Sequence, residues 1–573
     1  MPVNNNDIAE VFNKIADLLE IKGDNPFRIR AYRDAARTIG GLSKDASDLT
    51  EEGKDLSELP GIGKDLAGKV KTIIQTGTHP LLEDLKQEIP EELSGLMKLQ
   101  GMGPKKVAVL YKKLGVKTAE ELRKAAEEQK IRDLEGFGET TEENIIDELE
   151  RHKGEQKRFK LSVAEQRVKS FLKYMKEEKK IKSIEIAGSF RRRKETVGDI
   201  DILVTCKRGC QVMDRFIDYE DVEKVISKGE TRSSVILKSG LQVDLRKVPQ
   251  VAFGAAMHYF TGSKEHNIAV RKIAVKKNYK LNEYGVFRGD DRIAGKTEKE
   301  VYAKMDLPYF EPELRENRGE IKAAQKGNLP ELITLEDIRG DLHVHTKATD
   351  GHYSLEDMVK AAENKGYEYV AVSDHSQKVT VANGMDAKRL RKQMEKIDQL
   401  QDKSKKIKIL KSMEVDILED GSLDLADEVL KELDFTVCSV HYNLNLSRKK
   451  QTERVIKAMD NPFMNILGHP SGRLIHERKP LDLDMEKIME TAAEKKVFLE
   501  INSHPDRLDL NDIHCKWAKE MGVKTAITTD AHSIDDLDLM RFGVGQARRG
   551  WLEPGDIINT LSWKKLKKHF KRH

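Results

Sequence analysis

Cysteine is scarce: 573 residues contain four, Cys206, Cys210, Cys438 and Cys515. That excludes a disulfide framework. The CxxxC spacing of the first pair fits neither a zinc knuckle nor a redox CxxC, so all four read as thiols of a reducing cytosol. Long apolar runs are missing too, and none approaches the ~20 residues that span a bilayer. The amino-terminal MPVNNNDIAEVF lacks the basic and apolar regions of a secretory signal. The expectation is therefore a cytoplasmic chain with no membrane partner. No fixed-period repeat and no low-complexity tract is visible. Net charge is nearly absent, with 102 Lys and Arg against 98 Asp and Glu.

What is present is ample material for cores. Hydrophobic residues make up 38% and charged residues 35%, a globular composition. One domain per ~150 residues predicts three or four domains. Positive charge is blocked: residues 151–182 carry twelve Lys/Arg against four Glu, and the stretch from Leu561 carries six and no acid. Such blocks suit a polyanion, and equally a solvated face. Twelve of the sixteen histidines follow residue 340, interleaved with Asp and Glu, which points to metal chemistry there.

Residues 1–150 read as helical, with apolar residues at helical spacing in IAEVFNKIADLLEI. Three Gly-x-Gly turns separate helical stretches: Gly61-Ile62-Gly63-Lys64, Gly101-Met102-Gly103-Pro104-Lys105, and Gly136-Phe137-Gly138-Glu139. This is the helix-hairpin-helix pattern. Paired glycines let the backbone turn tightly, and the amides of the turn and of the next helix face outward as an anion site. A nucleic-acid phosphate fits there without sequence readout. Glu139 in the third copy makes that one a structural hairpin.

From residue 184 the pattern changes to strands, SIEIAGS, GDIDILVTC and SVILKSGLQVDLRKV. Gly188-Ser189 opens a helix after a strand, a natural triphosphate grip. Asp199 and Asp201 are two apart on a strand and point the same way. Asp244, on another strand, offers a third carboxylate. Three such groups can hold two divalent ions about 4 Å apart for in-line phosphoryl transfer, and hard oxygen ligands suit Mg²⁺. An isolated DxD pair is usually chance on an exposed strand; the company of Gly188-Ser189 and Asp244 favours the metal reading.

Residues 1 to about 320 resemble the family X DNA polymerases, whose best-known member is DNA polymerase beta. The resemblance rests on Ala31-Tyr32-Arg33, the hairpins, GSFRR, GDIDIL, Tyr259-Phe260-Thr261-Gly262-Ser263 with Asn267, and Leu281-Asn282-Glu283-Tyr284. It implies catalytic, metal-binding Asp199, Asp201 and Asp244, the last as base or activator at the primer 3′-OH, with two Mg²⁺ or Mn²⁺ ions. It implies triphosphate contacts at Gly188, Ser189, Arg192 and Gly198, sugar contacts at Tyr259, Phe260 and Gly262, and base-pair contacts at Asn267 and Arg271. DNA phosphates would meet Gly61, Gly63, Lys64, Gly101, Gly103 and Lys105. In the first domain Lys69 matches a Schiff-base lyase nucleophile and Arg28 a 5′-phosphate contact. Asp65 stands where the family has a second lysine, so Lys69 reads either as a nucleophile or as a solvated lysine near DNA. Gln242 replaces an arginine, which predicts altered catalytic tuning.

Beyond residue 340, metal-ligand types cluster after apolar strand-like runs: Asp341-Leu342-His343-Val344-His345, Asp350, Ser373-Asp374-His375, Glu414-Val415-Asp416, His441, His469 and Asp530-Ala531-His532. A further run carries Glu500 and Asn502. Parallel strands followed by helices close into a barrel whose strand C-termini converge. Imidazole with carboxylate suits Zn²⁺, Mn²⁺ or Fe²⁺. His352, His476, His504 and His514 fall outside this pattern; His504 and Arg507 are candidates for phosphate contact. The segment 339–573 resembles the PHP (polymerase and histidinol phosphatase) family. That implies a (β/α)7 barrel with His343, His345, Asp350, His375, Glu414, His441, His469, Asp530 and His532 as ligands of two or three Mn²⁺ or Zn²⁺ ions.

The expected architecture is multidomain: all-α helix-hairpin-helix domains at 1–85 (lyase-like) and 86–150 (thumb-like), an α/β nucleotidyltransferase palm at 151–255, fingers at 256–320, a linker at 321–338 and the PHP barrel at 339–573. The expected function is a monomeric, cytoplasmic, nucleoid-associated repair polymerase acting on gapped or primer-template DNA with dNTPs. Its barrel would act as a 3′–5′ exonuclease, in 3′-end processing or in abasic-site cleavage. Two alternatives stand beside it: a small-molecule phosphoesterase tethered to a DNA-binding module, and a non-catalytic DNA-binding scaffold.

Overall fold

The computed structural model describes all residues except 1–4, 41–45, 52, 60, 91, 97–101, 135, 140, 144, 146–157 and 571–573. They divide into two compact units, Met1–Lys157 and Arg158–His573.

The first unit is helical. Helices α1 (Asn5–Lys22) and α2 (Pro26–Gly40) pack through Phe12 and Tyr32, whose ring centroids are 5.8 Å apart. Helix α3 (Lys64–Thr76) starts at Gly63 and α4 (Pro104–Leu114) at Gly103, and no side chain caps either start. Their first-turn N–H groups therefore lack a side-chain acceptor. The third turn is closed internally: Arg132 pairs with Glu139 at 3.1 Å, and buried Glu142 accepts from the Ile131 and Arg132 amides at 2.9 Å.

The second unit holds two folds. The palm sheet comprises β1 (Ile181–Ile186), β2 (Asp199–Cys206), β3 (Val222–Lys228), β4 (Arg232–Leu237) and β5 (Gln242–Lys247), in the order β1-β2-β5-β4-β3. Strands β2 and β5 run parallel, with Asp201 opposite Asp244 and Asp199 opposite Gln242. Helices α5 (Phe253–Thr261) and α6 (Lys264–Lys276) follow.

The second fold is a ring of parallel strands: β6 (Gly340–Val344), β7 (Tyr369–Val372), β8 (Lys408–Lys411), β9 (Glu414–Asp416), β10 (Val437–Ser439), β11 (Ile466–Leu467), β12 (Phe498–Asn502) and β13 (Thr525–Thr528). The break between β8 and β9 divides one strand, so seven strands form the wall, and a bridge between His375 and Glu414 spans the break. The ring closes where Val344 bridges Ala531. Buried Asn559 completes the seam, its Nδ2 donating to the Gly340 and Ile527 carbonyls at 2.9 and 2.7 Å. Helix α7 (Met540–Arg549) packs beside β13, and α8 (Trp563–Phe570) covers part of the barrel with buried Leu566 and Phe570, the latter stacked on Phe435. The basic run at this end of the sequence thus has an apolar face.

The stretch 321–338 joins the folds without being an open tether. Leu332 and Ile333 are buried, and the Ile333 amide donates to the Leu552 carbonyl at 3.0 Å. Palm and barrel meet through fully buried Arg549, which pairs with Glu316 at 2.9 Å and Asp512 at 2.6 Å and donates to the Arg192 carbonyl at 2.7 Å. Among the described residues no helix is long and apolar enough to cross a membrane.

Candidate active sites

The palm carboxylates lie at one end of the sheet because β2 and β5 are in parallel register. Gly188 has φ +64°, and a Cβ there would stand 2.7 Å from Oδ2 of Asp201, so only glycine lets the GS turn approach the carboxylate. Burial, with Asp199 and Asp244 nearby, pushes the Asp201 carboxyl up to about 7; burial and Asp244 also raise Asp199. Gln242 donates to Asp244 at 3.2 Å, and Arg232 approaches Asp244 at 3.8 Å. A divalent cation relieves such mutual repulsion, so the donor set fits one. Below pH 7 a proton competes for Asp201, and ion affinity should fall up to about tenfold per pH unit for one displaced proton. Titration calorimetry with Mn²⁺ at pH 6 and pH 8 checks this; the predicted result is weaker binding at pH 6.

Around these carboxylates, Gly198 lies beside Arg158. Arg192 donates through Nη1 to the Thr261 carbonyl at 2.5 Å and through Nε to Glu316 at 3.1 Å, so it braces the segment that leads to Gly262. Gly262 has φ +69° and packs against that guanidinium. Asn267 Nδ2 donates to the Tyr259 carbonyl at 2.7 Å, while its buried Oδ1 has no partner. Arg271 lies 6.0 Å from the Tyr259 ring centroid, and Arg246 lies over Phe260 at 4.4 Å. Ser189 lies in the short helical turn Gly188–Arg191.

In the helical unit, Gly61, Gly63, Lys64, Gly103 and Lys105 are exposed; Gly101 lies outside the described residues. Lys69 pairs with Asp65 one helical turn away and lies 5.6 Å from the Tyr32 ring centroid. Arg28 pairs with Asp24 at 2.9 Å.

Among the described residues, the groups of three or more His, Cys, Asp or Glu with ligand atoms within 4.8 Å of one another are all in the barrel. They are His345, Asp350, His375 and His532; His343, His345 and Asp530; and His375, Glu414 and His441. The palm carboxylates share a sheet end but are not drawn that close. His345 and His375 each belong to two barrel groups, so the groups form one cluster. His343 Nε2 faces His345 Nε2 at 3.1 Å, and His345 Nε2 lies 3.0 Å from Asp530 Oδ1. His469 Nε2 lies 3.0 Å from Glu414 Oε1 and completes the nine expected ligands. His469 and Asp530 have φ +26° and +54°, strained backbone of the kind that collects at functional sites.

Four buried carboxylates behind the ligands complete the site: Glu500, Asp416, Asp374 and Asp341. The sequence motifs contain them without revealing their roles. Glu500 pairs with Nδ1 of His343 at 2.6 Å and accepts from the His469 amide at 2.5 Å. Asp416 pairs with Nδ1 of His441 at 2.9 Å. Each directs the opposite ring nitrogen, Nε2, to the cluster. Asp374 accepts from Thr346 and Thr349 at 2.7 Å, and Asp341 from Thr529 at 2.5 Å.

Burial opposes ionisation of Glu414, yet His375, His441 and His343 hold it well below the usual carboxylate range. Burial likewise disfavours protonated His343, but Glu500, Asp530 and Glu414 raise it well above its ordinary value. Burial and His532 push His345 down to about 4. Ionised carboxylates and converging imidazole nitrogens fit divalent ions that displace protons. Glu500→Gln should therefore lower metal affinity about 10–100-fold, read as metal retained against a chelator.

Family models match residues 3–79 (helix-hairpin-helix domain), 82–151 (SAM-like helix-hairpin-helix tandem), 158–248 (DNA polymerase beta palm), 256–316 (DNA polymerase beta thumb, the segment termed fingers above) and 341–504 (PHP domain). The DNA polymerase/3′-5′ exonuclease PolX of Bacillus subtilis (strain 168) is 39% identical over 571 residues, 99% of each chain. A probable phosphatase of Thermoanaerobacter sp. (strain X514) is 29% identical over 38% of this chain and 89% of its own. Rat DNA polymerase lambda is 25% identical over 54% of this chain and 56% of its own. The palm and barrel constellations, in that order along one full-length match, make this chain a member of the family X DNA polymerases that carry a PHP domain.

Proposed function

We propose that this polymerase fills short gaps in DNA as a monomer in the cytoplasm, close to the nucleoid, and that its barrel trims 3′ ends by phosphodiester hydrolysis. The observation that carries the reading is the coexistence of two separate ion-binding constellations, one built on β2 and β5 and one at the strand ends of the barrel. The working division of the chain is lyase-like 1–85, thumb-like 86–150, palm 151–255, fingers 256–320, linker 321–338 and barrel 339–573.

In the palm, Asp199, Asp201 and Asp244 would hold two Mg²⁺ or Mn²⁺ ions, which supply charge stabilisation at the transferring phosphoryl group. Asp244 takes the proton of the primer 3′-OH. Gly188, Ser189, Arg192 and Gly198 border the triphosphate. Tyr259, Phe260 and Gly262 line the sugar, and the Asn267 bond to the Tyr259 carbonyl fixes that wall; Arg271 and Asn267 face the base pair. The uncapped starts of α3 and α4, with Lys64 and Lys105, take backbone phosphates. Lys69 and Arg28 serve an abasic 5′ end, with Asp65 restraining the amine.

In the barrel, two or three Mn²⁺ or Zn²⁺ ions would be held by the nine ligands and supply a hydroxide nucleophile at neutral pH. Glu500 and Asp416 orient the rings of His343 and His441, and Arg507 contacts the phosphate. Abasic-site cleavage uses the same group. A second reading, small-molecule phosphate hydrolysis, draws on the relatives named probable phosphatase. Rates with Mn²⁺ on 3′-ended DNA and on histidinol phosphate separate the two: the proposal expects turnover of DNA, and turnover of the monoester alone would reverse it.

A further inference from the structure

The rim of the barrel site is held by the palm. We propose that palm residue Glu195 is a positioning residue for hydrolysis in the barrel, acting through Arg473 on the backbone that presents Arg507. This rests on the reading of the barrel as a phosphodiester hydrolase.

Arg507 borders the ligand cluster, its Nε 3.7 Å from Oδ2 of Asp530. Its Nη1 is buried with no hydrogen-bond partner, although the side chain as a whole is 20% exposed. A guanidinium left unsatisfied beside a metal-type cluster suits a phosphate oxygen that arrives with substrate.

The backbone beneath it is strained, for Leu508 has φ +42°. A branched residue stays there only when its surroundings over-determine it. Arg473 supplies much of that constraint, donating from Nε to the Arg507 carbonyl at 2.9 Å and from Nη2 to the Leu508 carbonyl at 2.6 Å. Glu195 grips Arg473 from the palm with both oxygens, at 2.7 and 3.4 Å. Palm residue Lys160 adds a second tie to Asp506 at 2.7 Å. Leu508 itself is buried in the apolar cluster that contains the palm residues Phe159, Leu161 and Val197. The loop that carries Arg507 is thus constrained by residues of the polymerase fold.

The test is a double-variant cycle in the full chain, reading release of the 3′-terminal nucleotide with Mn²⁺. Arg507→Met should cost about a hundredfold in kcat/KM and Glu195→Gln about tenfold. The combined variant should be no worse than Arg507→Met alone, because Glu195 acts through that arginine. In metal-free protein, amide hydrogen exchange across 504–510 should quicken in Glu195→Gln and in Arg473→Lys, which keeps the charge but loses the fork, and stay unchanged in Arg507→Met. Additive losses, or an unaltered Glu195→Gln variant, would overturn the proposal while leaving the nuclease reading intact. A wild type that releases no nucleotide from DNA would overturn both.

Discussion

Replacing Asp199 by alanine should abolish primer extension while 3′-end shortening continues. Asp199 and Asp201 project from the same strand, and Asp201 stands opposite Asp244 across the parallel ladder. Removing one carboxylate from this small set weakens an ion whose stabilisation of the transferring phosphoryl group is worth several kcal/mol. At 1.36 kcal/mol per tenfold, the expected loss is about a thousandfold or more in kcat. Half-buried Asp201 is raised by burial and by the neighbouring carboxylates of Asp199 and Asp244, a repulsion that a divalent ion would relieve. Single-turnover incorporation opposite a one-nucleotide gap measures the effect. None of the barrel ligands belongs to the palm sheet, so the shortening rate should be unaltered.

The mirror variant, His343→Ala, should abolish shortening and spare extension. His343 is fully buried, turns its Nε2 to the cluster and is held at Nδ1 by Glu500 at 2.6 Å. Its loss removes an expected ligand and takes from buried Glu500 its imidazole partner, leaving that carboxylate only the neutral donors His469 N–H, Thr528 and Asn502. We expect a loss of about a hundredfold or more in excision, at the upper end of the effects seen when only a supporting partner is removed. Metal content measured on the purified variant should fall with it.

Much of this was legible in the sequence because strand periodicity fixes side-chain direction. The i, i+2 pairs Asp199/Asp201 and His343/His345 declare a shared face before any fold is known, and nearly every cluster of expected barrel ligands follows a short, apolar, strand-like run. Register was not legible. That Asp244 faces Asp201 depends on the chain leaving β2 for the far edge at β3 and returning through antiparallel β4, which brings β5 beside β2. The supporting carboxylates were hidden for the same reason: Glu500 lies 157 positions from His343 along the chain. The stretch 321–338 resembled a linker because isolated Leu332 and Ile333 carry no periodic signal; their burial is a tertiary outcome. The ties between the polymerase part and the barrel at Arg549 and Arg473 are ion pairs between residues far apart in sequence, which no local pattern announces.

Two separate active sites in one chain are tested most directly with a labelled primer on a one-nucleotide-gapped duplex with Mn²⁺, with and without dNTPs, for wild type, Asp199→Ala and His343→Ala. Extension should be lost only in Asp199→Ala and shortening only in His343→Ala. Shortening that survives His343→Ala, or that disappears with Asp199→Ala, would contradict their separation.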